Sequence, residues 1–81
     1  MELWQLNYFA KVVEEGNISA ASRKLHMSQP PLSMQIKHLE AELGTPLFLR
    51  DGRNMILTEA GSTLYRRAKA LLNLADITMK E

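Results

Sequence analysis

Residues 17–44, NISAASRKLHMSQPPLSMQIKHLEAELG, constrain this chain more than any other stretch, because they predict two short helices joined by a tight connection. The first predicted helix is small and rich in alanine. The second begins at a double proline, and its apolar residues recur every three or four positions: Leu32, Ile36, Leu39 and Leu43. That spacing produces one buried stripe on a helix. A different face of the same helix carries Pro30, Ser33, Met34 and Lys37.

This second face indicates what the helix can bind. A helix that is held by a small partner helix, and that presents short polar groups and a cation, fits the dimensions of a DNA major groove. The two-helix pattern therefore predicts a helix-turn-helix DNA-binding domain.

The length of the chain limits it to one domain. With 81 residues, only about 60–65% of the unfolded chain's surface can be buried, so a partner subunit would help stability. The chain has no cysteine, which excludes a disulfide framework and a thiolate metal site. No apolar run approaches the ~20 residues that span a bilayer, and the N-terminus lacks a secretory signal pattern. We therefore expect a cytoplasmic protein without a membrane partner.

The distribution of charge is more informative than its sum of +1. Cations concentrate in the middle of the chain, at Arg23, Lys24, Lys37, Arg50 and Arg53. Acidic residues lie towards the ends, at Glu2, Glu14, Glu15, Glu59, Asp76 and Glu81. A cationic middle fits a phosphate-facing surface, although an ordinary solvated surface is the alternative reading.

The helices around this motif have recognisable ends. Apolar residues at three- and four-residue intervals predict a first helix over residues 3–15, namely Leu3, Leu6, Phe9 and Val13. Gly16 and Asn17 end that helix, and Ser19 is expected to cap the next. Gly44 ends the third helix, and Pro46 prevents its resumption.

Residues 47–57, LFLRDGRNMIL, predict a small β-hairpin. Two short apolar runs flank Asp51-Gly52, which is a strong signal for a tight turn between strands. Arg50 and Arg53 lie near its tip, as in the wing of a winged helix domain. Thr58 then caps a last helix, and Glu59 lies in its first turn, where the helix dipole favours negative charge.

The last helix predicts a homodimer. Its apolar seam runs through Ala60, Leu64, Ala68, Leu71, Ala75 and Met79, and Leu72 and Leu74 widen it. At roughly 30 Å the helix is too long for so small a domain to bury. We expect the partner contact at Leu64, Ala68, Leu71, Leu72 and Ala75; packing of the seam on its own domain is the alternative.

With these elements in place, the sequence resembles the N-terminal domain of LysR-type transcriptional regulators. The resemblance runs from MELWQLNYFAKVVEEGNISAASRKLHMSQPPLSMQIKHLEAELGTPLF through Arg50–Arg53 to LTEAG and the long helix. It implies a mainly α fold, with a winged helix-turn-helix over residues 1–58 (a three-helix core plus a two-stranded β wing) and a linker or dimerisation helix over residues 59–81. Bacterial members carry a larger effector-binding domain after this helix, so the chain looks like a DNA-binding fragment.

The resemblance also implies site residues. DNA contacts are expected at Ser28, Gln29, Pro30, Pro31, Ser33, Met34, Lys37, Arg50 and Arg53. Gln29 would read adenine, the prolines would meet a thymine methyl, and Ser33 would bond a base or a phosphate. Lys37 is better placed for phosphate, and Arg50 and Arg53 for the backbone or minor groove of flanking DNA.

Several positions depart from the family pattern. In the wing, Leu49 and Asp51 replace the more typical Glu and Ser or Thr. Met34 stands where many members have arginine, which removes a cation and a possible guanine reader from the recognition face. Trp4 replaces a usual arginine in the first helix, and we assign it no DNA role.

The resemblance further implies double-stranded DNA as the partner, an imperfect inverted repeat as the site, and tetramers of the full-length protein. A small-molecule co-inducer is expected only for the absent effector domain, so this chain needs no cofactor. His26 and His38 do not have metal-ligand spacing, and no catalytic motif is present. We therefore predict neither a metal site nor an enzyme. The alternative function is a winged helix module that binds another protein and does not read DNA.

Overall fold

The computed structural model describes residues 1–80, which form four helices and one antiparallel pair of strands. Their order is α1 (Leu3–Glu15), α2 (Ile18–Lys24), α3 (Gln29–Leu43), β1 (Phe48–Asp51), β2 (Asn54–Leu57) and α4 (Glu59–Lys80). This architecture confirms the predicted mainly α fold: a three-helix core, a two-stranded wing and a long last helix.

The helix ends follow from local chemistry, with one correction. Gly16 and Gly44 end α1 and α3 in the left-handed conformation, with φ of 83° and 72°, as predicted. The expected cap of α2 at Ser19 is wrong. Asn17 has extended backbone angles, and its side chain accepts a hydrogen bond of 2.7 Å from the backbone N–H of Ala20. Ser19 already lies inside the helix, so it cannot cap it.

The core lies where α1, α2 and α3 meet. Its largest fully buried side chains are Phe9, Leu32, Leu39, Leu47 and Val12. Two members of the predicted stripes are exposed instead, Leu3 by 49% and Leu43 by 39%. Each lies in a terminal turn of its helix, where neighbouring elements no longer cover the apolar side. The buried stripes are therefore shorter than the sequence pattern.

The wing is attached to the helical core on both strands. Phe48 of β1 is buried and pairs in register with Leu57 of β2. The backbone N–H of Met55 donates a hydrogen bond of 2.9 Å to the carbonyl of Gly16, which ties β2 to the turn after α1. The hairpin turns at Gly52, whose φ is 61°, in agreement with the Asp-Gly signal.

Helix α4 begins as predicted but packs differently. The hydroxyl of Thr58 accepts a hydrogen bond of 3.0 Å from the backbone N–H of Gly61, which confirms the cap. Ala68, expected in the dimer seam, is 0% exposed within its own protomer and therefore has no surface left for a partner. Leu64 is half-buried against the same core. The apolar side chains that stay open on this helix include Leu71, Leu74 and Ile77.

Candidate nucleic-acid interface

One side of helix α3 is buried in the core, and another side is exposed to solvent. Leu32, Ile36 and Leu39 are buried, which fixes the rotation of the helix. The same rotation exposes the predicted contact residues Ser28, Gln29, Pro30, Pro31, Met34 and Lys37. Ser33 is half-buried at the edge of this face. The prolines lie in the first helical turn, where a missing N–H costs no helix hydrogen bond.

Two polar contacts hold α3 against α1. The side-chain amide of Gln5 donates a hydrogen bond of 3.1 Å to Gln35 Oε1. The terminal ammonium of Met1 lies 2.8 Å from Glu42 Oε2, and this hydrogen bond raises the pKa of the amino group above its ordinary value. These contacts join α1 and the residues before it to α3 at Gln35 and at the exposed Glu42.

A carboxylate connects α3 to the wing. Glu40 Oε2 accepts hydrogen bonds from the backbone N–H groups of Leu47, at 2.7 Å, and Phe48, at 3.3 Å. These donors lie just before β1 and at its first residue, so Glu40 is one of the contacts that join the strand to α3. The sequence analysis did not identify Glu40, because its partners become neighbours only when the chain folds back after Gly44.

A groove of about 660 Å³ lies between α2, the start of α3 and the wing. Its lining contains three arginines and no acidic residue; the lining residues are Asn17, Ile18, Ser19, Arg23, Gln29, Arg50, Gly52, Arg53 and Asn54. The structure thus brings Gln29 together with both predicted wing cations. It adds Arg23, which the sequence analysis noted as part of the cationic middle but did not assign to the site.

Arg23 is held in place within this groove. Its Nη1 donates a hydrogen bond of 2.9 Å to the hydroxyl of Ser19, one turn earlier on α2. Asp51 lies beside the arginines in sequence, yet among residues 1–80 it forms no ion pair and does not line the groove. Within residues 1–80, the guanidinium of Arg23 is hydrogen-bonded to Ser19 and forms no ion pair.

A second polar cluster joins α1 to α4, away from the groove. Glu14 Oε2 accepts hydrogen bonds from Tyr65 Oη at 3.0 Å and Lys69 Nζ at 3.2 Å, and Lys11 lies 3.6 Å from its other oxygen. Burial raises the pKa of Glu14, but the hydrogen bonds from Lys69 and Tyr65 and the nearby cations outweigh it. The pKa of this carboxyl therefore lies below its ordinary value.

Comparison with known proteins identifies the family. Residues 3–62 match the model of the lysR family of bacterial regulatory helix-turn-helix proteins. The chain belongs to the LysR family. Within that family it is 51% identical over 78 residues to the transcriptional regulator ClcR of Pseudomonas putida, covering 96% of this chain and 26% of that protein. It is 47% identical over 74 residues to BsdA of Bacillus subtilis, covering 90% of this chain and 26% of that regulator. This LysR-family chain thus spans about a quarter of the length of these relatives, both of which are transcriptional regulators.

Solved structures of other family members include complexes with DNA. The DNA-binding domain of CbnR in its DNA complex is 44% identical, with a TM-score of 0.93 over 99% of this chain and 92% of that one. The DNA-binding domain of BenM with benA site 1 DNA is also 44% identical, with a TM-score of 0.94 over 99% of this chain and 93% of that one. The fold described above is therefore that of LysR-family DNA-binding domains. None of the helices in residues 1–80 has the length and apolarity that a membrane crossing requires.

Proposed function

We propose that this chain binds double-stranded DNA sequence-specifically as the DNA-binding part of a LysR-type transcriptional regulator acting in the bacterial cytoplasm. In the proposed complex, α3 lies in the major groove and the wing, residues 47–57, lies over the flanking backbone or minor groove. The observation that carries the proposal is the exposed face of α3, which adjoins a groove lined by arginines and free of carboxylates. Related domains with the same fold have been solved with DNA.

Base reading falls to the first two turns of α3. Gln29 has a side-chain amide that can make a bidentate contact with adenine. Pro30, Pro31 and Met34 are exposed apolar groups suited to a thymine methyl. Ser28 and Ser33, at the edge of this face, complete the set as hydrogen-bonding groups for a base or a phosphate.

Phosphate contacts fall to the cations. Lys37 is exposed about two turns along α3 from Gln29. At that distance from the base-reading residues it would meet the phosphates that border the DNA major groove. Arg50 and Arg53 extend the positive surface along the wing. These contacts position the domain without selecting a sequence.

We further propose that two copies pair through α4. Leu71, Leu74 and Ile77 form an exposed apolar strip there, and Leu72 and Ala75 lie half-buried beside it. A two-fold pair would place two recognition helices in successive major grooves, roughly 34–36 Å apart, and would favour an imperfect inverted repeat. Residues 1–58 would then read DNA and α4 would link subunits. Tetramer formation and a small-molecule co-inducer belong to the full-length regulator.

Two substitutions distinguish a residue that reads DNA bases from a residue that only positions the domain on DNA. Gln29→Ala should cost about 1–3 kcal/mol on the preferred site and relax preference at one base pair. Lys37→Ala should weaken every sequence alike and reduce the salt slope by about 0.9. Sites selected from a random DNA pool, followed by anisotropy titrations at several salt concentrations, measure both. An equal loss on every sequence for Gln29→Ala would exclude its reading role.

A further inference from the structure

We infer that the groove between α2 and the wing holds the sugar-phosphate backbone of one DNA strand, with Arg23 as a phosphate-binding residue that Ser19 positions. This inference rests on the proposed function. It adds a contact from α2, a helix to which the sequence analysis gave no DNA-binding residue.

The position of the groove between α3 and the wing indicates which part of a DNA duplex it would face. One wall carries Gln29 of the proposed major-groove helix, and another carries Arg53 of the wing, proposed for flanking DNA. On a duplex, the major and minor grooves are separated by a sugar-phosphate strand. A concave surface between a major-groove reader and a minor-groove element must therefore face that strand. The groove, with a volume of about 660 Å³, is open along this path.

The chemistry of the lining agrees with this position. Three arginines, Arg23, Arg50 and Arg53, line a space that no acidic residue lines. Guanidinium groups bind phosphate oxygens through paired N–H donors. The ligand is thus a phosphodiester, which is the chemistry that the strand between the two DNA grooves presents.

A hydrogen bond to Ser19 restrains the Arg23 side chain before it binds phosphate. An arginine side chain loses rotamer entropy when it is fixed on binding, and the hydrogen bond of 2.9 Å to Ser19 already restricts it in the free protein. That bond uses one of the five N–H donors of the guanidinium, which leaves the others for phosphate oxygens. Lys24, the next residue, is also exposed but does not line the groove, and it provides a matched control.

The first experiment measures the salt dependence of binding to a selected site. Arg23→Gln should lower affinity by the same factor on all sequences and reduce the slope of log K against log salt by about 0.9. Lys24→Gln removes an equal charge one residue away and should leave the slope near the wild-type value. Equal slope changes in both variants would indicate general electrostatic attraction and would overturn the assignment.

The second experiment locates the phosphate. Duplexes that carry one uncharged methylphosphonate are scanned across the strand between the α3 half-site and the wing-proximal flank. At one position, neutralisation should reproduce the loss seen in Arg23→Gln, and the variant should show no further loss on that duplex. If the two losses add at every position, Arg23 does not contact that strand.

The third measurement tests the role of Ser19. Ser19→Ala should weaken DNA binding in the wild-type background but not in the Arg23→Gln background, because the hydroxyl acts only through the arginine. Equal losses in both backgrounds would indicate a separate role for Ser19 and overturn its positioning role.

Two further measurements distinguish DNA phosphate from a free phosphate anion, and failure of this inference from failure of the proposed function. Inorganic phosphate and tripolyphosphate, titrated against the free protein, should not saturate the Arg23 guanidinium signal in an NMR spectrum. Saturation by either anion, together with an unchanged salt slope for Arg23→Gln, would identify a small-anion site and overturn the inference. Loss of DNA binding by the wild-type protein itself would contradict the proposed function, whereas an Arg23→Gln variant with wild-type binding contradicts only this inference.

Discussion

At the scale of single residues, Gly61 shows how a missing side chain determines packing. A Cβ built at this position would lie 2.1 Å from the carbonyl oxygen of Leu47 and 2.8 Å from Leu57 Cδ2. The first turn of α4 therefore approaches the backbone before β1 more closely than any residue with a side chain allows. The hydroxyl of Thr58 reinforces this junction, since it donates a hydrogen bond of 2.7 Å to the carbonyl of Pro46.

Gly61→Ala should destabilise the domain, although alanine is favoured over glycine within a helix by about 1 kcal/mol. The added methyl group meets backbone and must displace α4, and overpacking of this kind costs about 1–3 kcal/mol. Urea unfolding monitored by circular dichroism measures the change. Ser62→Ala, at the exposed neighbouring position, is the control and should unfold near the wild-type midpoint. A Gly61→Ala variant as stable as the wild type would show that the contact relaxes without cost.

At the scale of elements, Glu40 is one of the contacts that join the wing to α3. Its carboxylate accepts hydrogen bonds from the backbone N–H groups of Leu47 and Phe48, just before and at the start of β1. Hydrogen bonds to charged groups contribute about 1.5–3 kcal/mol each, so loss of this side chain should loosen the wing.

Glu40→Ala should therefore impair the wing contacts more than the α3 contacts. In a double-mutant cycle, Arg53→Ala should cost less affinity in the Glu40→Ala background than in the wild type, because the wing no longer holds Arg53 against DNA. Glu40→Gln keeps an acceptor oxygen and should recover most of the coupling. Identical costs of Arg53→Ala in all backgrounds would contradict a positioning role for Glu40.

The contact between α1 and α4 should respond to acid. The pKa of Glu14 is below its ordinary value of 4.5 in the folded protein, so the folded state favours the charged carboxylate. Its contribution to the free energy of unfolding is complete above that ordinary value and is lost as the pH falls through the lower folded pKa. Unfolding by urea between pH 6 and pH 3 should show a smaller loss of stability in Glu14→Gln than in the wild type. Glu15→Gln, whose residue forms no ion pair within residues 1–80, should follow the wild-type profile.

These elements also show what could be predicted from the sequence. The stripe of α3 from Leu32 to Leu39, the ends at Gly16 and Gly44, and the Asp-Gly hairpin depend on local spacing and backbone preference, and they were confirmed. The cap at Asn17 was missed because serine and asparagine are both good caps, so that tertiary packing decides where α2 begins. Glu40 was missed because its partners become neighbours only in the folded chain. The sequence placed Arg23 in the cationic middle of the chain but could not place it beside the wing, because α2 and the wing meet only on folding.

At the scale of the whole molecule, some apolar side chains of α4 are buried within the protomer and others are exposed. Gly61, Leu64 and Ala68 face the protein's own core. Leu74 follows Ala68 by six residues, which places it about a third of a turn away around the helix. Of the predicted seam, Ala68 is buried and Leu64 half-buried within the protomer, whereas Leu71 is exposed and Leu72 and Ala75 are half-buried. The apolar side chains that stay accessible to a second copy therefore lie in the C-terminal half of α4.

Leu74→Glu should weaken the proposed dimer while leaving the protomer folded. Leu74 is 62% exposed, so a charge is tolerated in the monomer but would be desolvated between two helices. Sedimentation equilibrium should show a dissociation constant increased at least tenfold. Asn73→Glu adds the same charge beside the apolar strip and should have a smaller effect. Dimers of unchanged affinity in the Leu74 variant would exclude this face as the contact.

Helix α1 and the residue at the N-terminus form hydrogen bonds with both α3 and α4. Gln5 and the terminal amine connect α1 to α3, and Glu14 connects α1 to α4. Helix α1 therefore links α3 and α4 within one protomer through side chains near its two ends. In a paired molecule, the crossing angle of the two long helices would then set how many base pairs separate the half-sites that are read.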